Sequence, residues 1–501
     1  MILYVTYNDQ PSGVYWSQVT DVVDHLGTLG KERVQLVALV SLRGYFRSRM
    51  AIRKRHPGAL VLPMVPRAHN WRVNWIWLWL LCRYHRPSGI IGRGIFATAL
   101  GLRMRDRGLV DQVCFDARAA YGAEWQEYRV VDNDRLIAEC VELEREVVAR
   151  ADLRMAVSHA LVQHWKDTMD YQAQRHLVIP CTLGRSVEHW PQQPAASLRA
   201  ELHWAPEDTV LVYSGTSVGW QSLELAEQVV RPWLAMDHAH RMLFLSPDHV
   251  VIDRLRTAFP GQVARRWVPH QRVRSLLQEC DIGLLLREAR ITNRVASPTK
   301  FAEYLSAGLA VAISADVGDF SSMVRERKLG QVVDGDQGLQ LTKPDSAARE
   351  RLASMAREQF TKESYDAQYR TILGCLVDEP VVVSPSPFAA PCLLYTSGMR
   401  CFGNTGAGGC IGRACVAASR SPSTPSGRAY PSRTAAPSSC IRMHGSVRTA
   451  ASMSMSLSAH GRGRRRSRSR ASATIATSVP VPRSSAMWCL VTIWWWERMR
   501  W

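Results

Sequence analysis

The feature that most constrains the fold is an alternation of short apolar runs with helix-like segments, which continues through residues 1–380. The runs are ILYVTY, VQLVALVSL, ALVLPMV, GIIG, QVCFDA, LRMAVS and HLVIP, then TVLVYSG, RMLFLS, QVARRWV, DIGLLL and LAVAIS. They suit strands buried on both faces, and helical segments such as 14–29, 135–150 and 160–169 separate them. Because strands that alternate with helices form parallel sheets, we predict an α/β fold of two Rossmann-like, doubly wound domains that face each other across a cleft.

Changes in composition set the predicted domain boundaries. Residues 186–208, rich in Pro, Gln and Ala, form the predicted linker between an N-terminal domain (1–185) and a C-terminal domain (209–380). Helices predicted over 346–359 and 362–376 close the chain before the tail. Ligands of such folds bind at the carboxyl ends of the strands, so candidate residues are sought there.

Residues 381–501 differ from the rest of the chain. They contain 16 Arg, 21 Ser, no Lys and one acid, Glu497. A segment of this kind cannot bury enough apolar surface to fold. The same composition also fits translation in the wrong reading frame, which would never have been selected to fold. We predict a disordered or out-of-frame tail without function and expect no nucleic-acid partner, although GRGRRRSRSR (461–470) also fits an RNA-binding arm.

Several classes of protein are excluded. No run of eighteen apolar residues predicts a membrane-spanning helix, and the N-terminus lacks the charged region of a secretory signal. The twelve cysteines form no C-x-x-C pair, so neither a metal framework nor a redox motif is indicated. We expect a cytoplasmic protein with reduced thiols.

Residues 33–105 carry thirteen Arg and one Lys but no acid. Within them, Trp71, Trp75 and Trp79 follow one another at intervals of four in NWRVNWIWLWLLCRY. A helix apolar on all sides is usually buried. Trp beside Arg also fits an interfacial helix on anionic lipid. In that second interpretation the protein is peripheral at the inner membrane face, and an anionic membrane surface is a partner.

The most informative segment is 281–314, which predicts a buried strand, a charged loop and a helix. Ser297 is the predicted N-cap and Pro298 the first helical residue. In the first turns, Lys300 adds a full charge to the N–H groups that attract an anion at a helix start, and Thr299 lies beside it. One turn later, Glu303 can accept the hydroxyls of a ribose. These features fit a nucleoside diphosphate, and the alternative is a well-capped helix with surface Lys and Glu.

This segment resembles the donor-binding region of family 4 glycosyltransferases of the GT-B fold, where a helix with the pattern S-P-x-K-x-x-E-Y-x-x-x-G precedes a strand. The likeness covers about residues 1–377 and includes YSGTSVGWQSLELA, AVSHALVQHW, VIPCTL and FTKESYDAQYRTIL. The resemblance implies transfer of a hexose-type sugar from a nucleotide-sugar donor to a glycan or lipid-linked acceptor. It also implies retention of configuration, no metal or other cofactor, and contact of Glu303 with the donor ribose.

Two positions depart from the family pattern. The first glutamate of its E-x7-E pair would fall at Val295, and Gln221 stands near the place of an expected Lys. Charge for the pyrophosphate is therefore predicted from Lys300 together with an arginine of the loop REARITNR. We choose Arg287, since it lies nearest the strand end.

Other candidates follow strand ends elsewhere. Gly13 and Gly215 would let backbone N–H groups approach phosphate, although strand–helix turns favour glycine in any case. Asp116 and Arg118 are predicted to orient the acceptor hydroxyl, unless they are a helix cap and a surface residue. His159 fits a helix start better than a catalyst.

Two other functions remain open. A nucleotide-sugar epimerase could use the same scaffold and would convert donor without acceptor. A catalytically silent GT-B partner protein in envelope polysaccharide assembly would bind nucleotide weakly, and Val295 with Gln221 motivates this alternative.

Overall fold

The computed structural model describes residues 1–66, 68–173, 175–185, 197–215, 222–333 and 338–377. The predicted tail, Gln221 and residues 186–196 of the predicted linker lie outside these residues. Everything below refers to the described parts of the compact unit Met1–Ser397.

The first lobe is built on seven parallel strands in the order β3-β2-β1-β4-β5-β6-β7. The strands are β1 (Ile2–Tyr7), β2 (Val34–Val40), β3 (Leu60–Pro63), β4 (Gly89–Arg93), β5 (Gln112–Ala117), β6 (Leu153–Ala156) and β7 (His176–Val178). The helices are α1 (Gly13–Tyr15), α2 (Asp21–Leu29), α3 (Tyr45–Arg55), α4 (Trp75–His85), α5 (Gly94–Arg105), α6 (Tyr121–Tyr128), α7 (Asp134–Arg150) and α8 (His159–Thr168). A π-helical turn, Trp16–Thr20, joins α1 to α2, and a 3-10 turn, Ala68–Asn74, precedes α4.

The second lobe is built on six parallel strands in the order β10-β9-β8-β11-β12-β13. The strands are β8 (Thr209–Ser214), β9 (His240–Leu245), β10 (Val263–Arg266), β11 (Ile282–Leu285), β12 (Ala310–Ser314) and β13 (Gly330–Val333). The helices are α9 (Leu198–Glu201), α10 (Leu223–Met236), α11 (Val250–Ala258), α12 (His270–Gln278), α13 (Ile291–Arg294), α14 (Thr299–Ser306), α15 (Phe320–Arg327), α16 (Ser346–Gln359) and α17 (Asp366–Cys375). A 3-10 turn, Glu363–Tyr365, precedes α17.

Each sheet is covered on both faces, as the apolar runs predict. In β1, Leu3 and Val5 point into the layer that contains α4, α5 and α7. Ile2 and Tyr4 point into the layer that contains α2 and α3. Burial on both sides explains why these strands are continuously apolar rather than alternating.

The two-lobed, doubly wound α/β architecture is confirmed, and all twelve predicted strands are present. The strand β13 was not predicted, because the segment beginning at Gly330 lacks a sustained apolar run. The order of strands reverses between β1 and β4 in the first sheet and between β8 and β11 in the second. Such reversals open a crevice at the carboxyl ends of the strands.

The last helix packs on the first lobe although it follows the second in sequence. Tyr369, Ile372 and Leu373 of α17 are buried in the same apolar layer as Tyr4. Arg370 donates a hydrogen bond of 2.6 Å to the carbonyl oxygen of Leu29. The chain therefore returns to the first lobe after completing the second.

The tryptophan-rich segment is buried on one side only. Trp71 and Leu78 belong to the core of the first lobe, whereas Ile76 and Trp79 are exposed. The helix α4 is thus neither enclosed on all sides nor free of the core. Within the described ranges, no helix has the length and apolar content needed to cross a membrane.

A buried carboxylate holds α6 against α7. Glu144 of α7 has no exposed surface, and it accepts backbone N–H bonds from Tyr121 at 3.1 Å and Gly122 at 2.6 Å at the start of α6. Burial raises the pKa of Glu144 to about 7, and the two N–H bonds oppose that shift.

We expect the free energy of unfolding to depend on pH because of this pKa shift. Below pH 4.5, the ordinary pKa, Glu144 is protonated in the folded and unfolded states alike. As the pH rises from there to about 7, only the unfolded state releases the proton, so stability falls, by about 3 kcal/mol if the full shift is realised. Denaturant titrations across this range should show a shallower loss for Glu144→Gln. Glu142→Gln, an exposed change on the same helix, should match the wild type, and equal pH slopes for all three proteins would contradict the assignment.

Candidate functional site

The candidate site lies at the carboxyl edge of the second sheet, where β8 and β11 meet. Gly215 directly follows β8, and Arg287 follows β11 by two residues. The hydroxyl of Tyr304 accepts a bond from the N–H of Ser214 at 3.0 Å and donates to the carbonyl oxygen of Leu284 at 3.3 Å. Tyr304 belongs to α14, so this one side chain ties the helix to both strand ends.

The start of α14 differs by one residue from the prediction. Ser297 is not the N-cap; the helix begins at Thr299, and Pro298 occupies the cap position. The hydroxyl of Ser297 instead accepts the backbone N–H of Cys181 at 2.9 Å. Cys181 follows the last strand of the first lobe, so the residues before α14 contact that lobe.

Two half-buried cations, Arg287 and Lys300, and a half-buried carboxylate, Glu303, share this edge. Burial lowers the pKa of Lys300; Glu303 opposes the shift and Arg287 adds to it. Burial also lowers the pKa of Arg287, against the influence of Tyr213. Arg287 is close enough to disfavour the charge of Lys300, and an anion placed between them would favour the charged form of each. This arrangement, rather than the helix start alone, makes the edge a candidate anion site.

The residue that replaces the family's first glutamate is apolar for a structural reason. Val295 is 3 % exposed and belongs to the core cluster of the first lobe. Its carbonyl oxygen accepts the hydroxyl of Ser158 at 2.7 Å. A glutamate there would bury a carboxylate among apolar side chains, which is costly without a partner.

Carboxylates from each lobe cap helices of the other. Glu127 of α6 accepts the N–H groups of Ile291 at 2.8 Å and Thr292 at 3.1 Å, and the Thr292 hydroxyl at 2.6 Å. Asp319 accepts the N–H groups of His159 at 2.7 Å and Ala160 at 3.0 Å. His159 is thus the first residue of α8, as predicted, and its side chain is exposed.

A second contact runs from the first lobe to the cations. The side-chain amide of Asn293 donates to the hydroxyl of Tyr128 at 3.1 Å. Its oxygen accepts from Arg287 at 3.4 Å. The N–H of Arg287 also donates to the hydroxyl of Ser314 at 2.8 Å. Tyr128 therefore influences the position of Arg287 through Asn293.

In the first lobe, Asp116 lies deeper than predicted. It has no exposed surface, and it accepts hydrogen bonds from Tyr4 at 2.5 Å and Arg118 at 3.1 Å. Arg118 also pairs with its second oxygen at 2.6 Å, and Arg93 lies 3.5 Å away. Because these groups surround both oxygens, Asp116 is placed to hold the two arginines rather than to meet a substrate.

The most accessible residue of this cluster is Asp9, whose side chain is half-buried. It follows β1, and one of its oxygens lies 3.6 Å from Arg93 at the end of β4. Burial raises the pKa of Asp9, and Arg93 opposes that shift. The strands β1 and β4 are those between which the strand order reverses, so the crevice of each sheet carries charged groups.

Several of these residues were not predicted from the sequence. Glu127, Asn293 and Asp319 each contact a partner at least 159 positions away in the chain. No local sequence pattern marks these three residues. Arg93 and Asp9 could have been found, since each follows an apolar run. Trp267 gives a similar signal: it follows β10 and is 59 % exposed.

The remaining predicted residues are placed as follows. Gly13 begins α1 after the first strand, and Gln221 lies outside the described residues. Among the residues described, no three His, Cys, Asp or Glu side chains converge as metal ligands. The D-x-D pattern of Asp132 and Asp134 is exposed and pairs with Arg129, and another such pattern, at 334–336, is not described. Metal independence stays a prediction.

Comparisons with known proteins agree on the fold. No protein-family model and no curated protein matches the sequence. Several solved structures do match the fold of this chain. Sucrose-phosphate synthase from Thermosynechococcus elongatus is 12 % identical, with a TM-score of 0.51 over 75 % of this chain and 99 % of that one. HepE from Anabaena, in complex with UDP and glucose, is 14 % identical, with a TM-score of 0.52 over 74 % and 99 %. A glycosyltransferase from Rickettsia africae is 11 % identical, with a TM-score of 0.53 over 76 % and 99 %.

Identities this low establish the architecture alone. The three chains are matched over nearly their whole length, and the part of this chain outside the match is about the size of the predicted tail. The predicted fold is thereby confirmed: this chain has the GT-B fold.

We expect the contact between the lobes to contribute measurably to stability. Glu127→Ala removes three hydrogen bonds to α13 and leaves its N–H groups without that acceptor, so the free energy of unfolding should fall by about 1–3 kcal/mol. Gln126→Ala, at the exposed neighbouring position, should have little effect. Urea unfolding followed by tryptophan fluorescence measures both. If Glu127→Ala were as stable as Gln126→Ala, the contact would have no energetic weight.

Proposed function

We propose that this chain is a glycosyltransferase that moves a sugar from a nucleotide-sugar donor to a glycan or lipid-linked acceptor, in polysaccharide or glycoconjugate biosynthesis. The observation that supports it is the pair of half-buried cations, Lys300 and Arg287, at the edge where the second sheet reverses its strand order. Perturbed cations in a crevice favour a functional anion site over a surface helix. The bound UDP of HepE, which shares the fold, supports a nucleoside diphosphate as that anion.

The donor is assigned along this edge. The diphosphate binds the N–H groups of Thr299 and Lys300 at the start of α14, with Arg287 on the strand side. Gly215 lets a backbone N–H approach a phosphate oxygen. Glu303, one turn into the helix, accepts the ribose hydroxyls. With strands about 4.8 Å apart, the end of β10 lies roughly 10 Å from that of β8, which brings the exposed ring of Trp267 within reach of the base.

The reaction requires that the leaving nucleoside diphosphate be stabilised. Lys300 and Arg287 supply positive charge where negative charge develops, and such preorganised charge is an effective source of rate enhancement. We propose that no divalent metal is needed and that configuration is retained. The departing phosphate oxygen then takes the proton of the acceptor hydroxyl on the same face of the sugar.

The acceptor is assigned to the crevice of the first lobe. Asp116 is too deep to touch it, so its proposed role changes from orienting the acceptor to positioning Arg93 and Arg118. Asp9 and those arginines present charge toward the acceptor hydroxyl. Gly13 begins α1 shortly after Asp9, and the segment between them is assigned to the same crevice.

The first test is donor binding. Nucleotide sugars that differ in base and sugar are added to the full chain, and the donor is identified by the largest rise in melting temperature. Glu303→Ala should then weaken binding of that donor by about 1–3 kcal/mol, the size of a lost charge-assisted hydrogen bond. Isothermal titration gives the value.

The matched control is Glu326→Ala, an exposed carboxylate on α15. It should bind the donor as the wild type does. Unchanged donor affinity in Glu303→Ala would remove the ribose assignment, and the absence of any stabilising nucleotide sugar would remove the proposed function.

The second test is turnover. Lys300→Met keeps the length and apolar part of the side chain but removes the charge, so kcat should fall roughly 100- to 1000-fold. Lys166→Met, on the exposed side of α8, is the control. Release of nucleoside diphosphate from the donor with acceptor present reports the rate, and wild-type turnover in Lys300→Met would contradict the leaving-group role.

A second candidate is a catalytically silent nucleotide-binding partner protein, which the burial of Val295 favours because a family contact to the donor sugar is missing there. Product analysis separates the possibilities. A transferase forms a glycosylated acceptor and free nucleoside diphosphate. An epimerase changes the donor without acceptor, and a silent protein changes nothing.

A further inference from the structure

We propose that helix α3 of the first lobe binds the surface of an anionic lipid bilayer. This inference goes beyond the proposed transfer reaction and does not depend on it. It starts from two large apolar side chains, Phe46 and Met50, which are 75 % and 74 % exposed. They stand four residues apart on one helix, so they lie on the same side.

The opposite side of α3 is attached to the lobe. Ile52 is fully buried in the core, and the hydroxyl of Tyr45 donates to the carbonyl oxygen of Val61 at 3.0 Å. At 100° per residue, Phe46 and Met50 lie about 100° and 140° from Tyr45. The helix is therefore held by one face and presents Phe46 and Met50 on another.

Basic side chains flank the apolar pair on both sides. By the same helical geometry, Arg53 lies about 80° from Tyr45, and Lys54 and Arg47 lie about 180° and 200° from it. All three are exposed, and in the described part of the chain their side chains form neither a hydrogen bond nor an ion pair. Residues 33–105 contain no acid, and the nearby acids of α2, Asp21 and Asp24, pair with Arg55 and His56 at the end of α3 instead.

This arrangement favours lipid over other anionic partners. An interfacial helix inserts a central apolar strip while long basic side chains reach the headgroups on either side. A nucleic acid or another soluble polyanion would attract the basic residues but would leave Phe46 and Met50 exposed to water. The Trp-rich helix α4 packs in the apolar layer on the other face of the sheet, so α3 is a surface separate from the one that the sequence indicates.

The test compares binding of the full chain to two kinds of vesicle. One contains phosphatidylcholine alone, and the other contains equal amounts of phosphatidylcholine and phosphatidylglycerol. We expect sedimentation with the anionic vesicles only. The double variant Phe46→Ser/Met50→Ser should bind them at least about tenfold more weakly, because insertion of the apolar pair is lost.

The matched control is Met236→Ser/Val250→Ser, which changes two exposed apolar residues of the second lobe, 74 % and 60 % exposed. It should bind like the wild type. The basic tail is present in every protein compared, so any attraction it adds is the same in each. Circular dichroism and the melting temperature check that the variants fold.

A second variant keeps the test decisive if Phe46→Ser/Met50→Ser is unstable. Arg47→Gln/Arg53→Gln should weaken binding to the anionic vesicles about tenfold, since each basic residue near such a surface adds attraction. The proposal is overturned if both variants bind as the wild type does, or if the wild type binds neutral vesicles equally well. A third result would also overturn it. In that case soluble heparin fully displaces the wild type from the anionic vesicles, and Phe46→Ser/Met50→Ser binds those vesicles as tightly as the wild type does.

Discussion

The candidate site depends on the way the first lobe holds the segment between β11 and α14. Glu127 caps α13, Ser158 binds the carbonyl oxygen of Val295, and the N–H of Cys181 binds Ser297. These contacts lie between the two cations, Arg287 before the segment and Lys300 after it. Movement of one lobe against the other would therefore displace the segment that joins the two cations.

The same contact accounts for the departure from the family pattern. A glutamate at position 295 would need a polar environment, and here the position belongs to the apolar core of the first lobe. The charge that remains at this edge is positive on Arg287 and Lys300, with Glu303 one turn further along. In the proposed function these groups serve the phosphates and ribose of the donor, and contacts to its sugar are left to other residues.

The first lobe contributes charge of a different kind. Asp116 is fully buried, and its role is to hold Arg93 and Arg118 at the carboxyl ends of neighbouring strands. Burial keeps the pKa of Tyr4 well above its usual range, so Tyr4 remains a hydrogen-bond donor to that carboxylate. The partly exposed groups, Asp9 among them, are then oriented by a buried network. Rigid sites are commonly built in this way, with buried residues fixing the orientation of the more accessible ones.

The sequence by itself determined the features that depend on residues close together in the chain. Continuous apolar runs predicted twelve strands because burial on both faces requires them, and the segment around Lys300 and Glu303 predicted a helix start. Its role as an anion site stays a prediction. The sequence placed the N-cap of α14 one residue too early, at Ser297 instead of Pro298. The hydroxyl of Ser297 instead accepts the N–H of Cys181 from the other lobe. Tertiary structure alone decided the depth of Asp116, the capping of α13 by Glu127 and the exposure of Phe46 and Met50. These depend on packing between segments far apart in the chain, and no local periodicity records which distant group will fill a given position.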